Sequence, residues 1–246
     1  WVDDSRLVIL NAIDAASKGA NIQNYCKVTN VSKSDGLWSI TTTNSIDGKQ
    51  RVSKAKSFIN ASGPWIDDVL ESSFKKKNSK NVRLVRGSHI VVNKLFDHDR
   101  SYICQNNDNR IFFMIPYEDK FTLIGTTDID HGQSAGKVEI SEEEQLYICK
   151  SANEYLNTEI SLKDIVWSYS GVRPLYDDGA SEAQDATRDY VIKVEEQDSS
   201  LMVNIFGGKI TTYRRLSESI LKHVEGFLGK RGNAWTEKSS LPGGDI

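Results

Sequence analysis

The sequence has few cysteines, no long apolar run and no marked excess of charge of one sign. The three cysteines, Cys26, Cys104 and Cys149, are far apart, form no CxxC pair and leave one over. They fit reduced thiols in a cytoplasmic setting better than a disulfide framework. Four histidines are scattered without ligand spacing, so no metal is expected. A net charge of -3 gives no basic field for a nucleic acid. No stretch reaches the 18 or so apolar residues a membrane-crossing helix needs, and no secretory signal pattern opens the chain. There is no GxGxxG, no internal repeat and no low-complexity segment. The chain opens on Trp1 without an initiator Met, so it reads as a piece of something longer.

What is present is ordinary for a soluble globular protein: 38% hydrophobic and 26% charged residues. At 246 residues the chain can build one large domain or two small ones. A helix is expected from Asp3, Asp4 or Ser5, with Leu7, Leu10, Ile13 and Ala16 at helical spacing and Gly19 just past its end. A β-run from Ile22 to Val31 follows. Asp35-Gly36 and Asp47-Gly48 then mark the turns of a small antiparallel meander. Phe58 to Ala61 is an apolar strand ending in Ser62-Gly63-Pro64, and Pro64 suits the first turn of a helix over about 65–74. From Val82 onward the β-runs "VRLVRGSHIVVNKL", "RIFFMIPY" and "KFTLIGTTDID" predict a mainly antiparallel sheet. Ser141 and Glu144 form a capping box for a helix. The strands "DIVWSYSGVRPL" and "DYVIKVE" flank a polar loop, 177–188. "LMVNIFGG" leads into a helix capped by Thr211 or Thr212 and ended by Gly229, and the tail reads as a linker.

Three stretches carry candidate chemistry. In "FGGKITTYRRL" a strand runs through Gly207-Gly208 into a helix start, where unpaired N–H groups and partial positive charge favour an anion or a ring oxygen. A tight turn that merely needs small residues explains the same spacing. Arg173 is locked before Pro174, and its rigid fork of donors suits a carboxylate or phosphate. A structural ion pair with Asp177, Asp178 or Glu182 is the alternative. His89 shares a strand face with Val85 and Val91, as a satisfied core histidine would. "GTTDID" is either a strand-end polar cluster or a turn, "INASGPW" either packs a nucleotide or only a helix, and Lys75-Lys76-Lys77 reads as a solvated loop.

Taken in order, "NASGPW", "RGSHIVV", "IGTTD", "DIVWSYSGVRPL", "RDY", "FGGKITTYRRL" and "AWT…LPGG" resemble the FAD-dependent glycerol-3-phosphate dehydrogenases over essentially the whole chain. The resemblance implies an α/β (α+β) fold: part of an FAD/NAD(P)-binding domain plus an antiparallel-sheet substrate domain of the D-amino-acid oxidase-like type. It implies residues 1–80 and 200–230 in the FAD domain, 81–199 in the substrate domain and 231–246 as a linker. The family's glycine-rich βαβ unit, with its further phosphate arginine, and its C-terminal helical domain are absent, so this piece is expected to hold FAD weakly and to be inactive alone.

The implied reaction oxidises glycerol 3-phosphate to dihydroxyacetone phosphate and passes electrons to quinone at the cytoplasmic face of a membrane. The implied roles are His89 as general base and substrate contact, and Arg173 and Lys209 as catalytic and substrate-binding cations. Gly207, Gly208, Ile210, Thr211 and Thr212 would meet the flavin edge, and Val28, Ala61, Ser62 and Gly63 the nucleotide. Ser62 stands where the family commonly has Thr, and both keep a hydroxyl. A homodimer and a peripheral membrane contact are compatible with the resemblance. An oxidase using oxygen and a non-catalytic organic-phosphate-binding module are the alternatives.

Overall fold

The computed structural model describes residues 3–76, 79–132, 135–179 and 189–245. The chain divides into two compact units, Trp1–Val82 with Arg188–Ile246, and Arg83–Thr187.

The first unit begins with α1, Asp4–Ser17, capped by Asp3, whose carboxylate accepts from Arg6 N at 2.9 Å. Gly19 follows at φ +93, where a glycine meets no β-carbon penalty. The expected apolar stripe does not enter a core here. None of the helix is buried, and Val8, Ile9 and Ile13 are more than half exposed. Strands β1 (Cys26–Ser34), β2 (Leu37–Asn44) and β3 (Gln50–Ala55) form the antiparallel meander. β1 starts at Cys26, four residues later than the β-run begins in the sequence, and the register shifts between Val28 and Asn30.

Next come β4 (Ser57–Asn60), a short 3-10 turn over Gly63–Trp65 and α2 (Ile66–Ser72). The turn takes the residues whose Pro64 was expected to open the helix, so α2 starts one residue later than expected, at Ile66. Trp38 Nε1 donates to Leu201 O at 2.7 Å, and the Trp38, Phe58 and Phe74 rings pack together.

The second unit is a sheet on one side of a helix. Its strands are β5 (Val82–Asn93), β6 (Tyr102–Gln105), β7 (Ile111–Tyr117), β8 (Phe121–Gly125), β9 (Ile129–Asp130) and, after α3 (Glu142–Asn153), β10 (Ile165–Tyr176). The order is β10-β5-β8-β7-β6, with β9 paired to β5. The run read as one strand through "KFTLIGTTDID" breaks at Thr126–Asp128 into β8 and β9. Ile90, Phe112, Met114 and Ile124 pack with Ile148, Cys149 and Ala152 of α3 into the core of this unit. Burying such side chains contributes about 1.5–3 kcal/mol each. The Ser141–Glu144 capping box is formed.

The chain returns to the first unit with β11 (Val191–Gln197), β12 (Ser200–Phe206) and α4 (Tyr213–Leu228). β11 lies within the range 81–199 read as the substrate domain, yet it pairs with β12, which pairs in parallel with β4. β12 is buried throughout, and Leu201, Val203 and Ile205 face Leu216, Ile220, Val224 and Phe227 of α4. Gly229, at φ +86, ends α4. The tail is not a bare linker: Thr236 Oγ1 donates to Glu218, and Arg214 Nη1 bonds the same carboxylate at 3.1 Å. Glu182, Arg188, Lys77 and most of the loop 177–188 lie outside the described residues.

Candidate functional site

Side chains alternate along a strand, so Gly87 and His89 share one face of β5 while Arg86, Ser88 and Ile90 take the other. Across the sheet His89 is in register with Gly125 of β8, Gly125 with Phe113 of β7, and Phe113 with Ile103 of β6. His89 also stacks on Tyr169 of β10, with centroids 4.9 Å apart and planes 8° from parallel.

Two glycines make room for the two polar side chains on this face. A β-carbon on Gly125 would stand 2.4 Å from His89 Cδ2, and one on Gly87 would stand 2.1 Å from Arg173 Nη1. A β-carbon at either glycine would force its neighbour to move, so His89 and Arg173 lie directly on bare backbone.

Arg173 is anchored by the break between β8 and β9. Its Nη1 donates to Asp128 Oδ1 at 2.9 Å and to Thr127 O at 3.2 Å, and its Nη2 to Thr126 Oγ1 at 2.8 Å. Asp128 is thus a partner that the sequence reading did not name, and "GTTDID" holds the arginine's seat. His89 is half-buried, and its Nδ1 is buried with no hydrogen-bond partner among the described residues. Burial first, and then the positive charge of Arg173, hold its pKa down to about 4.

The cofactor-type residues lie in the first unit. β4 and β12 run parallel, with Asn60 and Asn204 in register and Asn60 Nδ2 donating to Asn204 Oδ1 at 3.2 Å. Ala61, Ser62 and Gly63 follow the end of β4, and Gly207 and Gly208 the end of β12. The carboxyl ends of neighbouring parallel strands are where ligands bind in such sheets. Ser62 Oγ donates to Asn60 Oδ1. Gly207 and Gly208 have φ of +70 and +100, and a β-carbon on Gly63 would meet nothing within 4 Å. This side-chain-free backbone fits the edge of a flat heteroaromatic ring.

Lys209 and Ile210 are exposed, and Ile210–Thr212 form a 3-10 turn before α4. Thr212 holds the cap position, but its hydroxyl donates to Lys209 O at 2.9 Å and caps no amide. Val28 sits at the irregularity of β1, where its carbonyl accepts from Ser73 Oγ at 3.5 Å. The structure therefore brings His89 and Arg173 together in one unit, and places Lys209 and the glycine turn in the other. Sequence reasoning missed Gly87, Gly125, Tyr169, Asp128 and the Asn60–Asn204 pair. The glycines stood inside the quoted motifs, and only their cross-strand neighbours reveal their purpose.

Residues 1–214 match the family described as DAO, FAD dependent oxidoreductase, and the chain belongs to it. Its fold is the mixed α/β fold of that family. Over the whole chain it is 42% identical to a D-erythritol 1-phosphate dehydrogenase of Brucella abortus, of which it covers 49%. It is also 42% identical, over 99% of its length, to a glycerol-3-phosphate dehydrogenase of Pseudomonas aeruginosa, of which it covers 48%. A solved glycerol-3-phosphate dehydrogenase from Bacillus halodurans, complexed with FAD, superposes with a TM-score of 0.82 at 28% identity, over 99% of this chain and 47% of that one. The chain spans about half the length of the relatives it matches.

Proposed function

We propose that this chain is the flavin-edge and substrate-binding part of an FAD-dependent dehydrogenase that oxidises a secondary alcohol of a small polyol phosphate, glycerol 3-phosphate in the first instance. One observation carries the reading: an always-charged arginine and an imidazole whose pKa burial holds down lie together on one sheet face, each over a glycine.

The reaction removes a hydride from C2 and a proton from its hydroxyl. FAD, when bound, supplies the two-electron acceptor. Gly207, Gly208, Ile210, Thr211 and Thr212 would hold the ring edge, and Val28, Ala61, Ser62 and Gly63 the nucleotide. His89 is neutral at pH 7 and so has a lone pair to take the hydroxyl proton. In this reading the buried Nδ1 keeps the ring hydrogen, and Nε2 takes the proton. Arg173 binds the phosphate through a guanidinium held in place by Thr126, Thr127 and Asp128, so little ordering is lost on binding. Lys209 is the cation beside the glycine turn of the first unit, for negative charge developing near the ring edge.

The identity shared equally with a D-erythritol 1-phosphate dehydrogenase favours a second reading within the same chemistry, with a four-carbon polyol phosphate as substrate. Anaerobic flavin absorbance of the full-length protein, mixed separately with glycerol 3-phosphate and D-erythritol 1-phosphate, distinguishes them. Bleaching by the first at the lower concentration supports the primary reading. Bleaching by the second alone selects the other, and bleaching by neither removes both. Quinone as acceptor, at the cytoplasmic face of a membrane, belongs to the same proposal. Reoxidation of the bleached enzyme by a soluble quinone faster than by oxygen is the expected result.

A further inference from the structure

On the α3 side of the second unit's sheet lies a carboxylate that the reaction does not use. Glu144 is only 2% exposed. A capping-box glutamate needs one oxygen to reach back to its cap, and here Oε2 does so, accepting from Ser141 N at 3.0 Å and pairing with Arg86 Nη2 at 2.8 Å. The other oxygen, Oε1, accepts from Ser88 Oγ and from Thr127 Oγ1, each at 2.7 Å.

The direction of each bond follows from proton counting. An ionised carboxylate only accepts, so the hydroxyl hydrogens of Ser88 and Thr127 both point at it. Thr127 Oγ1 is then left to accept from Ser88 N at 3.0 Å, and Ser88 Oγ to accept from Ser170 Oγ at 2.8 Å. Burial by itself raises the carboxyl pKa, but these donors and Arg86 outweigh it and hold the pKa below the usual value, so the group stays ionised.

Ser88 precedes His89. Thr127 lies between Thr126 and Asp128 and supplies the carbonyl that Arg173 donates to. Ser170 follows Tyr169, on which His89 stacks.

We propose that Glu144 positions both His89 and Arg173, by clamping from the opposite face of the sheet the segments that carry and seat them. This rests on the functional reading above, in which those two residues bind and deprotonate the substrate. Glu144 is a positioning residue and touches no substrate.

The test uses the full-length FAD-loaded protein and the variants Glu144→Gln, Thr127→Val and Ser141→Ala. Gln keeps the size of Glu but cannot accept from Arg86, Ser141, Ser88 and Thr127 all at once. Glu144→Gln is expected to slow flavin reduction by glycerol 3-phosphate at least about tenfold, because small misplacements of reacting groups are costly. Thr127→Val should slow it in the same direction. Ser141→Ala, which weakens only the helix cap, should lower Tm and leave reduction unchanged. Equal reduction rates in Glu144→Gln and wild type, with only Tm lowered, would overturn the proposal.

Hydrogen–deuterium exchange without substrate keeps the test independent of the functional reading and applies to Thr127→Val even where Glu144→Gln does not fold. Peptides spanning residues 84–92 and 124–130 should lose protection. Loss confined to the first turn of α3 would overturn the proposal. A wild-type flavin that glycerol 3-phosphate does not reduce would count against the functional reading alone.

Discussion

The imidazole of His89 lies on the backbone of Gly125, with Cδ2 only 2.4 Å from where a β-carbon on that glycine would stand. His89 and Gly125 are cross-strand partners in register, so the ring lies across the glycine between β5 and β7. Gly87 and Arg173 repeat the arrangement on the same face.

Gly125→Ala must push the ring aside or bend β8. We expect a stability loss of about 1–3 kcal/mol, as for overpacking elsewhere, and a fall in flavin-reduction rate of about 10² from the displaced base. Anaerobic stopped-flow absorbance and a thermal melt check both. Unchanged kinetics would mean that His89 takes no part in the reaction.

Arg173→Ala removes a charge-assisted contact worth about 1.5–3 kcal/mol. The expected outcome is a raised KM and a kcat/KM lower by at least about tenfold, with the fold retained. Gly87→Ala should move the same parameter in the same direction, because its β-carbon occupies the guanidinium position. A variant at 173 with normal kinetics and a lowered Tm would make the arginine a structural partner of Asp128 only.

His89 should titrate near pH 4 in the free protein, observed by NMR of labelled histidine. Burial is the larger cause and Arg173 the smaller, so Arg173→Ala should raise the value without restoring 6.5. The consequence for stability has a definite sign. Between about 6.5 and about 4 the unfolded chain binds a proton that the folded chain refuses, so stability falls as the pH drops through that window. Above 6.5 both states are neutral and the ring contributes no pH dependence. Replacing His89 with Gln should therefore flatten the stability curve between those values.

Gly208, at φ +100, lies in a region that side chains rarely adopt. Gly208→Ala should cost about 1–2 kcal/mol of backbone strain and lower the flavin retained on purification of the full-length protein, read from its absorbance ratio. Full flavin content would remove this turn from the proposed ring contact.

The local elements could be read from the chain alone, because their signals are local. Asp3 and Gly19 bound one helix, Ser141 and Glu144 start another, and Gly229 ends a third. Asp-Gly pairs turn the meander, and the Gly207-Gly208 turn follows an apolar strand. Arg173 was legible as a candidate because it is locked before Pro174 with a rigid fork of donors, and His89 through the motif "RGSHIVV". What surrounds them emerges only once the chain has folded. Which residue lies opposite His89 is set by strand register, and which backbone accepts from Arg173 by the break of one β-run into two strands. Glu144 serves as a cap through one oxygen and a clamp through the other because β5, the Thr126–Asp128 segment and α3 converge on it. Likewise β11 joined the first unit because its partner along its whole length was β12. Alternation and capping act within a few residues, whereas register and convergence link residues tens of positions apart, and only the folded chain brings those together.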